Sequence, residues 1–590
     1  MVSPKQPVIF PVIDSSASNT ASTWSKHRFR SYIAVLLAIS LLCWSTMLSA
    51  QTQLGADIDG DAAYDESGSS VSLSSDGSRL AIGAPGNDVN GFDSGHVRVH
   101  EWSGAAWTQL GAAINGEAAY DGFGGSVSLS LNGSRLAIGA PGNDGNGIDS
   151  GHVRVYQWSG AVWNQLGADI DGEAAYDRSG VSVSLSPGGN ILAVGAHLND
   201  GNGFDSGHVR VYQWSGADWQ QLGNDIDGEA FGDESGWSVS LSSDGNSLAI
   251  GARKNDGNGI NSGHVRVYQR SGTDWVQLGS DIDGEVFGDE SGSSVSLSSD
   301  GERLAIGAFR NDGNGIDSGH VRVYQWSGTA WAQLGADIDG EATADNSGWS
   351  VSLSSSGDRL AIGAHNNDGG GIDAGHARVY QRSDAAWTQI GSDMDGEAYG
   401  DNSGWSVSLS QDAGRLAIGA PLNINGNGVN AGHARVFDLS MFNTFSINAG
   451  LNDAWYFRKT SGQGFFITVF PDTQVVSLAW FTYDTALPPP GAIANLGDPG
   501  HRWLTALGPI SGNQATMDVE MTSGGIFDTA TEITRTDPPG SDGTITLVFT
   551  NCNSATVFYD ITSINRQGAV PIKRVANDNI VLCEALNKSK

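Results

Sequence analysis

The stretch Gly142–Gly160 reads GNDGNGIDSGHVRVYQWSG and is a close copy of Gly86–Gly104, which reads GNDVNGFDSGHVRVHEWSG. The two copies lie 56 residues apart, and the same spacing separates seven copies of a second element. That element begins as QLGADIDG and recurs from Gln53, Gln109, Gln165, Gln221, Gln277, Gln333 and Gln389. A fixed period of this length is too long for a helical hairpin repeat and matches one four-stranded propeller blade. The sequence therefore predicts a ring of blades.

Each repeat contains four segments with the pattern of a β-strand. SVSLS alternates apolar and small polar residues, which is typical of a half-buried strand. A short turn such as Ser75–Gly77 leads into RLAIGA, and the Asp/Asn/Gly-rich loop leads into HVRVY. A hairpin with Trp on both flanks, such as WSGAAW, then leads into WTQLGADI. No segment within the repeats has a persuasive helical period, so we expect an all-β fold.

The order of these segments predicts how the ring closes. The chain enters the repeats at Gln51–Ile58, which has the fourth-strand pattern. It leaves them after Gly432–Ser440, a third-strand pattern with no fourth strand behind it. We therefore predict a seven-bladed β-propeller over residues 51–440 in which the N-terminal strand completes the last blade. Such closure removes the free sheet edges that an open array would expose.

Two short motifs resemble those of the FG-GAP repeat family, whose seven-bladed propellers include the head of integrin alpha chains. Phe123–Ser130 reads FGGSVSLS, and IGAP occurs at Ile82–Pro85, Ile138–Pro141 and Ile418–Pro421. The resemblance covers the repeat region and implies a calcium-associated extracellular propeller used for adhesion or binding. The integrin-type calcium loop lies between the first and second strands of a blade, however. Here that connection is as short as Ser75–Gly77, so calcium would have to bind elsewhere.

The Asp/Asn/Gly-rich loop is the candidate for that role. It carries oxygen-bearing side chains at alternate positions with Gly at the bend, which is one way to wrap a Ca²⁺ ion. The alternative is that Asp and Asn side chains bond their own backbone and hold the loop rigid without a metal. The candidate calcium ligands are Asp88, Asn90, Asp93, Asp144, Asn146, Asp149, Asp200, Asn202, Asp205, Asp312, Asn314 and Asp317. The His that opens every third strand recurs in all seven repeats, and we assign it a packing or hydrogen-bonding role.

A ligand site has to break the sevenfold symmetry, because identical positions cannot form one unique site. Two positions vary, and both are expected on the face that carries the loops between second and third strands. The varying residues are Trp237, Trp349, Trp405, His197, Arg253, Lys254, Phe309, Arg310 and His365. Indoles stack on sugar rings or apolar side chains, and Arg pairs with carboxylates or sulfates. These residues predict a site for a glycan or an acidic peptide. Ordinary variation on an exposed loop is the alternative.

Residues 1–50 have the pattern of a signal peptide with a long basic leading region. Arg28 and Arg30 precede the apolar run Tyr32–Trp44, and small residues surround the expected cleavage point at Ala50. We expect a secreted, periplasmic or cell-surface protein without stable membrane insertion after cleavage; an uncleaved anchor is the alternative. The net charge of −34 argues against nucleic acid as a partner. We expect the chain to be monomeric.

The region 441–590 differs in composition from the repeats. Strand-like runs alternate there with turns rich in Pro and Gly, which predicts a separate small β domain, with a sandwich as the arrangement considered. Cys552 and Cys583 both lie in it, and in an oxidising compartment we expect them to pair. Two separately buried thiols are the alternative.

The sequence contains no nucleophile elbow, zinc motif or asymmetric acid/base pair that would indicate an enzyme. We therefore expect a binding or adhesion scaffold for an extracellular glycan or protein, with calcium as an assisting ion. An extracellular enzyme acting on polysaccharide and a structural surface-layer component are the alternatives.

Overall fold

The computed structural model describes residues 51–383, 386–442, 445–457, 463–483, 501–520, 522–523, 534–535, 542–562, 566–576 and 579–588. The expected signal segment, 1–50, lies outside the described residues. The described residues belong to one compact unit, Ala50–Lys590. None of its described helices is both long and apolar enough to cross a membrane.

Seven antiparallel sheets form the blades, and in six of them the strands follow one another in chain order. The first strands are Ser70–Leu73, Ser126–Leu129, Ser182–Leu185, Ser235–Leu241, Ser294–Leu297, Ser350–Leu353 and Ser406–Leu409. The second strands are Arg79–Ala84, Arg135–Ala140, Ile191–Ala196, Ser247–Ala252, Arg303–Ala308, Arg359–Ala364 and Arg415–Ala420. The third strands are His96–Trp102, His152–Trp158, His208–Trp214, His264–Ser271, His320–Trp326, His376–Ser383 and His433–Asp438.

Each fourth strand is interrupted and pairs with the third strand in two short segments. The interruption contains a Gly with positive φ, as at Gly111 (φ 81°), which lets the chain bend between the segments. In the first six blades, in chain order, the two segments of the fourth strand are Trp107–Gln109 and Ile114–Asn115; Trp163–Gln165 and Ile170–Asp171; Trp219–Gln221 and Ile226–Asp227; Asp274–Gln277 and Ile282–Asp283; Trp331–Gln333 and Ile338–Asp339; and Ala386–Gln389 and Met394–Asp395.

The N-terminal strand completes the seventh blade. Its segments Thr52–Gln53 and Ile58–Asp59 pair antiparallel with His433–Asp438, the last third strand. Between them, the backbone N–H of Leu54 donates to the carbonyl of Val436 at 2.7 Å. The predicted seven-bladed ring and its closure by the first strand are therefore confirmed.

The alternation in SVSLS reflects the position of the first strands at the centre of the ring. Their Leu side chains, such as Leu129, pack into the core between adjacent sheets. Their Ser side chains instead bond the neighbouring first strand, as where Leu129 N–H donates to Ser72 Oγ at 3.0 Å. The same bond recurs around the ring and ends where Leu73 N–H donates to Ser408 Oγ at 3.0 Å. A small hydroxyl residue is thus needed at this position because it links one blade to the next.

The C-terminal region forms a closed antiparallel barrel of eight strands rather than a sandwich. Its strands are Asp453–Tyr456, Gly464–Phe470, Val475–Tyr483, His501–Ser511, Gln514–Glu520, Gly543–Asn551, Ser554–Ile561 and Arg566–Arg574, and closure pairs Trp455 with Arg574. Before the barrel the chain forms two 3₁₀ turns, Ser440–Phe442 and Ala449–Leu451, and after it a helix, Ile580–Lys588. A separate two-stranded sheet pairs Thr522–Ser523 with Thr534–Arg535. Alternating apolar residues fill the interior, and because eight strands can wrap around one such core, no second sheet is required.

The two cysteines form a disulfide with a Cα–Cα distance of 5.8 Å, as predicted. Cys583 lies on the C-terminal helix, whose backbone packs so closely on Gly450 that a side chain there would collide with it. The disulfide therefore fastens this helix over one end of the barrel core.

The loops distinguish two faces of the propeller. What we name the upper face carries the loops between second and third strands beside the connections between blades, which meet at parallel bridges such as Gly95 with Phe123. The lower face carries the turns between first and second strands, and the barrel packs against it. There Asn132 donates to Asp560 at 3.2 Å, and Leu131 joins an apolar cluster with barrel residues. The described barrel residues therefore contact the face opposite to the upper one.

Candidate ligand-binding face

The varying residues chosen from the sequence lie around the upper mouth of the ring. Trp349 and Trp405 stand directly before first strands, and His365 stands directly after a second strand. Because the first strands contact one another around the centre of the ring, residues at their upper ends surround the centre of the upper face. The structure thus places both variable positions on one face.

Four aromatic side chains from three blades form a continuous cluster, which we call the aromatic patch: Phe309, Trp349, His365 and Trp405. Trp349 is its centre, with ring centroids 4.9 Å from Phe309, 4.6 Å from His365 and 4.8 Å from Trp405. The two indoles are partly exposed, whereas Phe309 and His365 are buried. Solvent therefore reaches the Trp rings, and the buried rings fix their orientation.

A group of paired charges lies next to it, and we call it the charged patch: Glu234, Arg253, Lys254, Glu290 and Arg310. Glu234 accepts from Arg253 Nε at 2.8 Å and from Lys254 Nζ at 2.5 Å. Glu290 lies 3.3 Å from Arg310 and 3.8 Å from Arg253. Both carboxylates are nearly buried. The basic side chains are therefore held by neighbouring carboxylates and do not form an isolated positive surface.

Trp237 and His197 lie beside the charged patch. The Arg253 guanidinium stacks over the Trp237 ring at 3.2 Å from its centroid, and His197 meets the same indole edge-on at 4.9 Å. Both contacts are favourable for an electron-rich ring face. Trp237 is therefore packed against a cation and an imidazole, whereas Trp349 and Trp405 are packed against other aromatic rings.

Burial sets the protonation of the two histidines on this face. It lowers the pKa of His365 from its ordinary value of 6.5 to about 4, and burial likewise lowers that of His197 to about 4. Both imidazoles are therefore neutral near pH 7. Burial by itself would raise the pKa of Glu234, but hydrogen bonds and charge from Lys254 and Arg253 outweigh it and hold the pKa below the ordinary range. Glu234 is thus ionised.

The sequence reasoning missed the two carboxylates that organise the charged patch. Glu234 and Glu290 occupy the position before Ser-Gly that is Asn in blades six and seven. They occur in the same two blades that carry Arg253 and Arg310, which was a partial signal, because blade one has Glu66 at this position without an Arg after its second strand.

Amide side chains take the place of these charges beside the aromatic patch. Asn366 donates to Asn346 Oδ1 at 2.7 Å, and Asn402 donates to the His365 carbonyl at 2.9 Å and to Asn366 Oδ1 at 3.1 Å. Around the centre of the upper face, the charged patch therefore comes from blades four and five, and the aromatic patch with its amide neighbours comes from blades five to seven.

A comparison with protein-family models agrees with the repeat motifs. A family model described as FG-GAP repeat matches residues 112–156 and 226–268, each spanning the second half of a fourth strand and the three strands that follow it. These matches, together with the seven-bladed ring, support an FG-GAP propeller. No curated protein matches the chain. Among solved structures, a protein assigned as a 6-phosphogluconolactonase from Bacteroides uniformis is 11% identical with a TM-score of 0.40, covering 56% of this chain and 85% of that one. Raptor from Chaetomium thermophilum is 12% identical with a TM-score of 0.39, and the match covers 66% of this chain and 29% of that one.

The Asp/Asn/Gly-rich loops of the FG-GAP repeats are closed by their own side chains. In the first blade Asp88 Oδ1 accepts from the Asp93 N–H at 2.8 Å, and Asn90 donates to the Gly116 carbonyl of the connection to the next blade at 2.7 Å. Asp93 itself is in the left-handed region (φ 52°). The same bonds recur for Asp144, Asn146 and Asp149, for Asp200, Asn202 and Asp205, and for Asp312, Asn314 and Asp317. The loops thus fasten adjacent blades together, and calcium binding by them stays a prediction.

Proposed function

We propose that this FG-GAP propeller is an extracellular binding scaffold that holds a glycan on its upper face, with the aromatic patch as the contact surface. The observation that carries the proposal is the Trp349–Trp405 pair, two partly exposed indoles 4.8 Å apart at the mouth of the ring. Indole faces are large, rigid and apolar and stack on the C–H faces of sugar rings. A protein ligand presenting apolar side chains is the second candidate.

The surroundings of this pair favour a neutral sugar over an acidic one. His365 is uncharged near pH 7 because burial lowers its pKa to about 4. The amides of Asn346, Asn366 and Asn402 supply donors and acceptors of the kind that orient hydroxyl groups. The cations of the neighbouring charged patch are already paired with Glu234 and Glu290.

The disulfide and the FG-GAP fold are consistent with an extracellular or secreted protein. We propose that the protein is secreted, periplasmic or held at the cell surface, and that it acts by adhesion and not by catalysis. An enzyme acting on polysaccharide and a surface-layer component are the competing functions. Release of reducing ends from a polysaccharide would favour the enzyme, and self-association in millimolar Ca²⁺ would favour the surface-layer component. Calcium assistance through the Asp/Asn/Gly-rich loops is part of the proposal.

Binding of the purified chain to arrayed neutral and acidic oligosaccharides tests the proposal. The double variant Trp349→Ala, Trp405→Ala should reduce binding at least tenfold, since stacking on both indoles is lost. Its matched control is Trp158→Ala, Trp326→Ala, which removes two indoles from hairpins at the lower face, where they pair with other Trp residues. Equal binding by the two double variants, or a preference for acidic oligosaccharides only, would contradict the assignment.

A further inference from the structure

The histidines that open the third strands lie next to pairs of carboxylates. His208, for example, is within 4.8 Å of both Glu173 and Asp225, measured between potential ligand atoms. Glu173 belongs to the connection that enters the blade, whereas His208 and Asp225 belong to the blade itself. Equivalent groups are Asp61, Asp65 and His96; Glu117, His152 and Asp169; Glu229, His264 and Asp281; and Asp57, Asp59 and His433. The first four clusters therefore join side chains of an entering connection to side chains of the blade that follows it, whereas Asp57, Asp59 and His433 all belong to the seventh blade.

The imidazoles are deeply buried and lack hydrogen-bond partners for one ring nitrogen. His376 is the clearest case: its side chain is 1% exposed, and its Nδ1 has no hydrogen-bond partner in the described structure. The same Nδ1 faces Glu341 Oε2 at 4.0 Å and Asp395 Oδ1 at 3.9 Å. His96 repeats the arrangement, with an unpartnered Nε2 that lies 4.0 Å from Asp61. An unsatisfied buried nitrogen is costly, and in His376 and His96 it faces anionic oxygens that are too far away to bond it directly. In His208, His264 and His433 the nitrogen nearest a carboxylate is Nδ1, whereas the unpartnered nitrogen is Nε2.

One nearby arginine does not complete these clusters. Arg378 lies 3.3 Å from Oε1 of Glu341, so the other carboxylate oxygen remains directed at His376. The negative charge also exceeds what one guanidinium can compensate. Two carboxylates, Glu341 and Asp395, face the His376 imidazole, whereas Arg378 is a single cation that contacts only Glu341 of the two. A cation placed between the carboxylates and the imidazole would relieve this repulsion.

We propose that these clusters bind divalent transition-metal ions such as Zn²⁺, one ion for each cluster, and that the bound ions link neighbouring blades. One imidazole nitrogen with two carboxylate oxygens is a donor set that suits Zn²⁺ and its neighbours, whereas Ca²⁺ prefers oxygen ligands alone. Tetrahedral coordination brings ligand atoms to about 3.3 Å from one another. Glu341 and Asp395 are 45% and 44% exposed, so their side chains are free to close the remaining distance. The clusters are distinct from the Asp/Asn/Gly-rich loops and from the aromatic patch.

Calorimetric titration of the chelator-treated full chain with Zn²⁺ tests the proposal. The variant Glu117→Gln, Glu173→Gln, Glu229→Gln, Glu341→Gln alters four clusters at side chains that are about half exposed. It should bind four fewer Zn²⁺ ions than the unmodified chain. The control variant removes the same charge from the Asp/Asn/Gly-rich loops and should leave the number of bound Zn²⁺ ions unchanged. It carries Asp88→Asn, Asp144→Asn, Asp200→Asn and Asp312→Asn.

Two results would overturn the proposal. One is the absence of Zn²⁺ binding to the unmodified chain, and the other is an equal loss in both variants, which would mean that Zn²⁺ responds only to overall charge. X-ray absorption spectroscopy of the Zn²⁺-loaded unmodified chain gives a readout that does not depend on the variants folding. It should show an imidazole in the zinc coordination shell, and a shell of oxygen atoms alone would refute the assignment.

Discussion

Ile58→Ala measures how much the closure of the ring contributes to stability. Ile58 lies in the N-terminal strand, pairs with Ala434 of the last blade and is 7% exposed. Its side chain packs with Val71, Leu73 and Val436, which belong to the first and last blades. Ile226 occupies the same position in the third blade, is 6% exposed and pairs with Val209. The two residues differ in that Ile58 is linked to its blade only through the ring closure.

The expected destabilisation follows from the volume removed. Replacing Ile by Ala deletes three methyl or methylene groups, each worth about 0.8 kcal/mol on transfer from water. The cavity left in a packed core adds to this, so the free energy of unfolding should fall by about 2–4 kcal/mol. Because the two residues occupy the same position in their blades and are equally buried, Ile226→Ala should cost the same within about 1 kcal/mol.

Urea unfolding followed by tryptophan fluorescence measures both variants against the unmodified protein. Equal losses would mean that the N-terminal strand is docked as firmly as the covalently continuous fourth strands. Ile58→Ala could instead change the free energy of unfolding by less than about 0.5 kcal/mol while Ile226→Ala lowers it by about 2–4 kcal/mol. The N-terminal strand would then be largely undocked in solution, and the reasoning would be refuted.

Two further predictions concern the barrel and the aromatic patch. Cys583→Ser removes the disulfide between residues separated by 31 positions, which should lower the barrel's free energy of unfolding by about 3–4 kcal/mol on the chain-entropy estimate. Thermal unfolding with and without reductant measures this loss. A variant that melts at the same temperature as the oxidised unmodified protein would contradict the prediction. Burial lowers the pKa of His365 from its ordinary value of 6.5 to about 4 in the folded protein. The contribution of the neutral imidazole to the free energy of unfolding is therefore complete above pH 6.5 and is lost as the pH falls towards 4. His365→Gln should therefore reduce the loss of stability over this interval by about 3 kcal/mol in urea titrations at each pH, and an unchanged slope would contradict the assignment.

The local pattern of the sequence was sufficient to predict the propeller. A strict 56-residue period, period-two alternation in SVSLS and the offset between the first and last repeats specify the number of blades and the manner of closure. These features are local or strictly periodic, and each blade must satisfy them independently. The barrel was less accessible, because alternating strands favour a sandwich and a closed sheet equally. The choice between them depends on whether the first and last strands meet, as Trp455 and Arg574 do.

The sequence by itself determined the ring, its closure, the disulfide partners and the positions that depart from sevenfold symmetry. Tertiary structure alone decided how those positions are grouped: Trp349 packs against Trp405 across a blade boundary, while Glu234 and Glu290 neutralise the cations that looked available for a ligand. It also brought Glu341 of one connection towards His376 of the next blade. The physical reason is that side-chain contacts between blades depend on the radius and twist of the closed ring, which no single repeat contains.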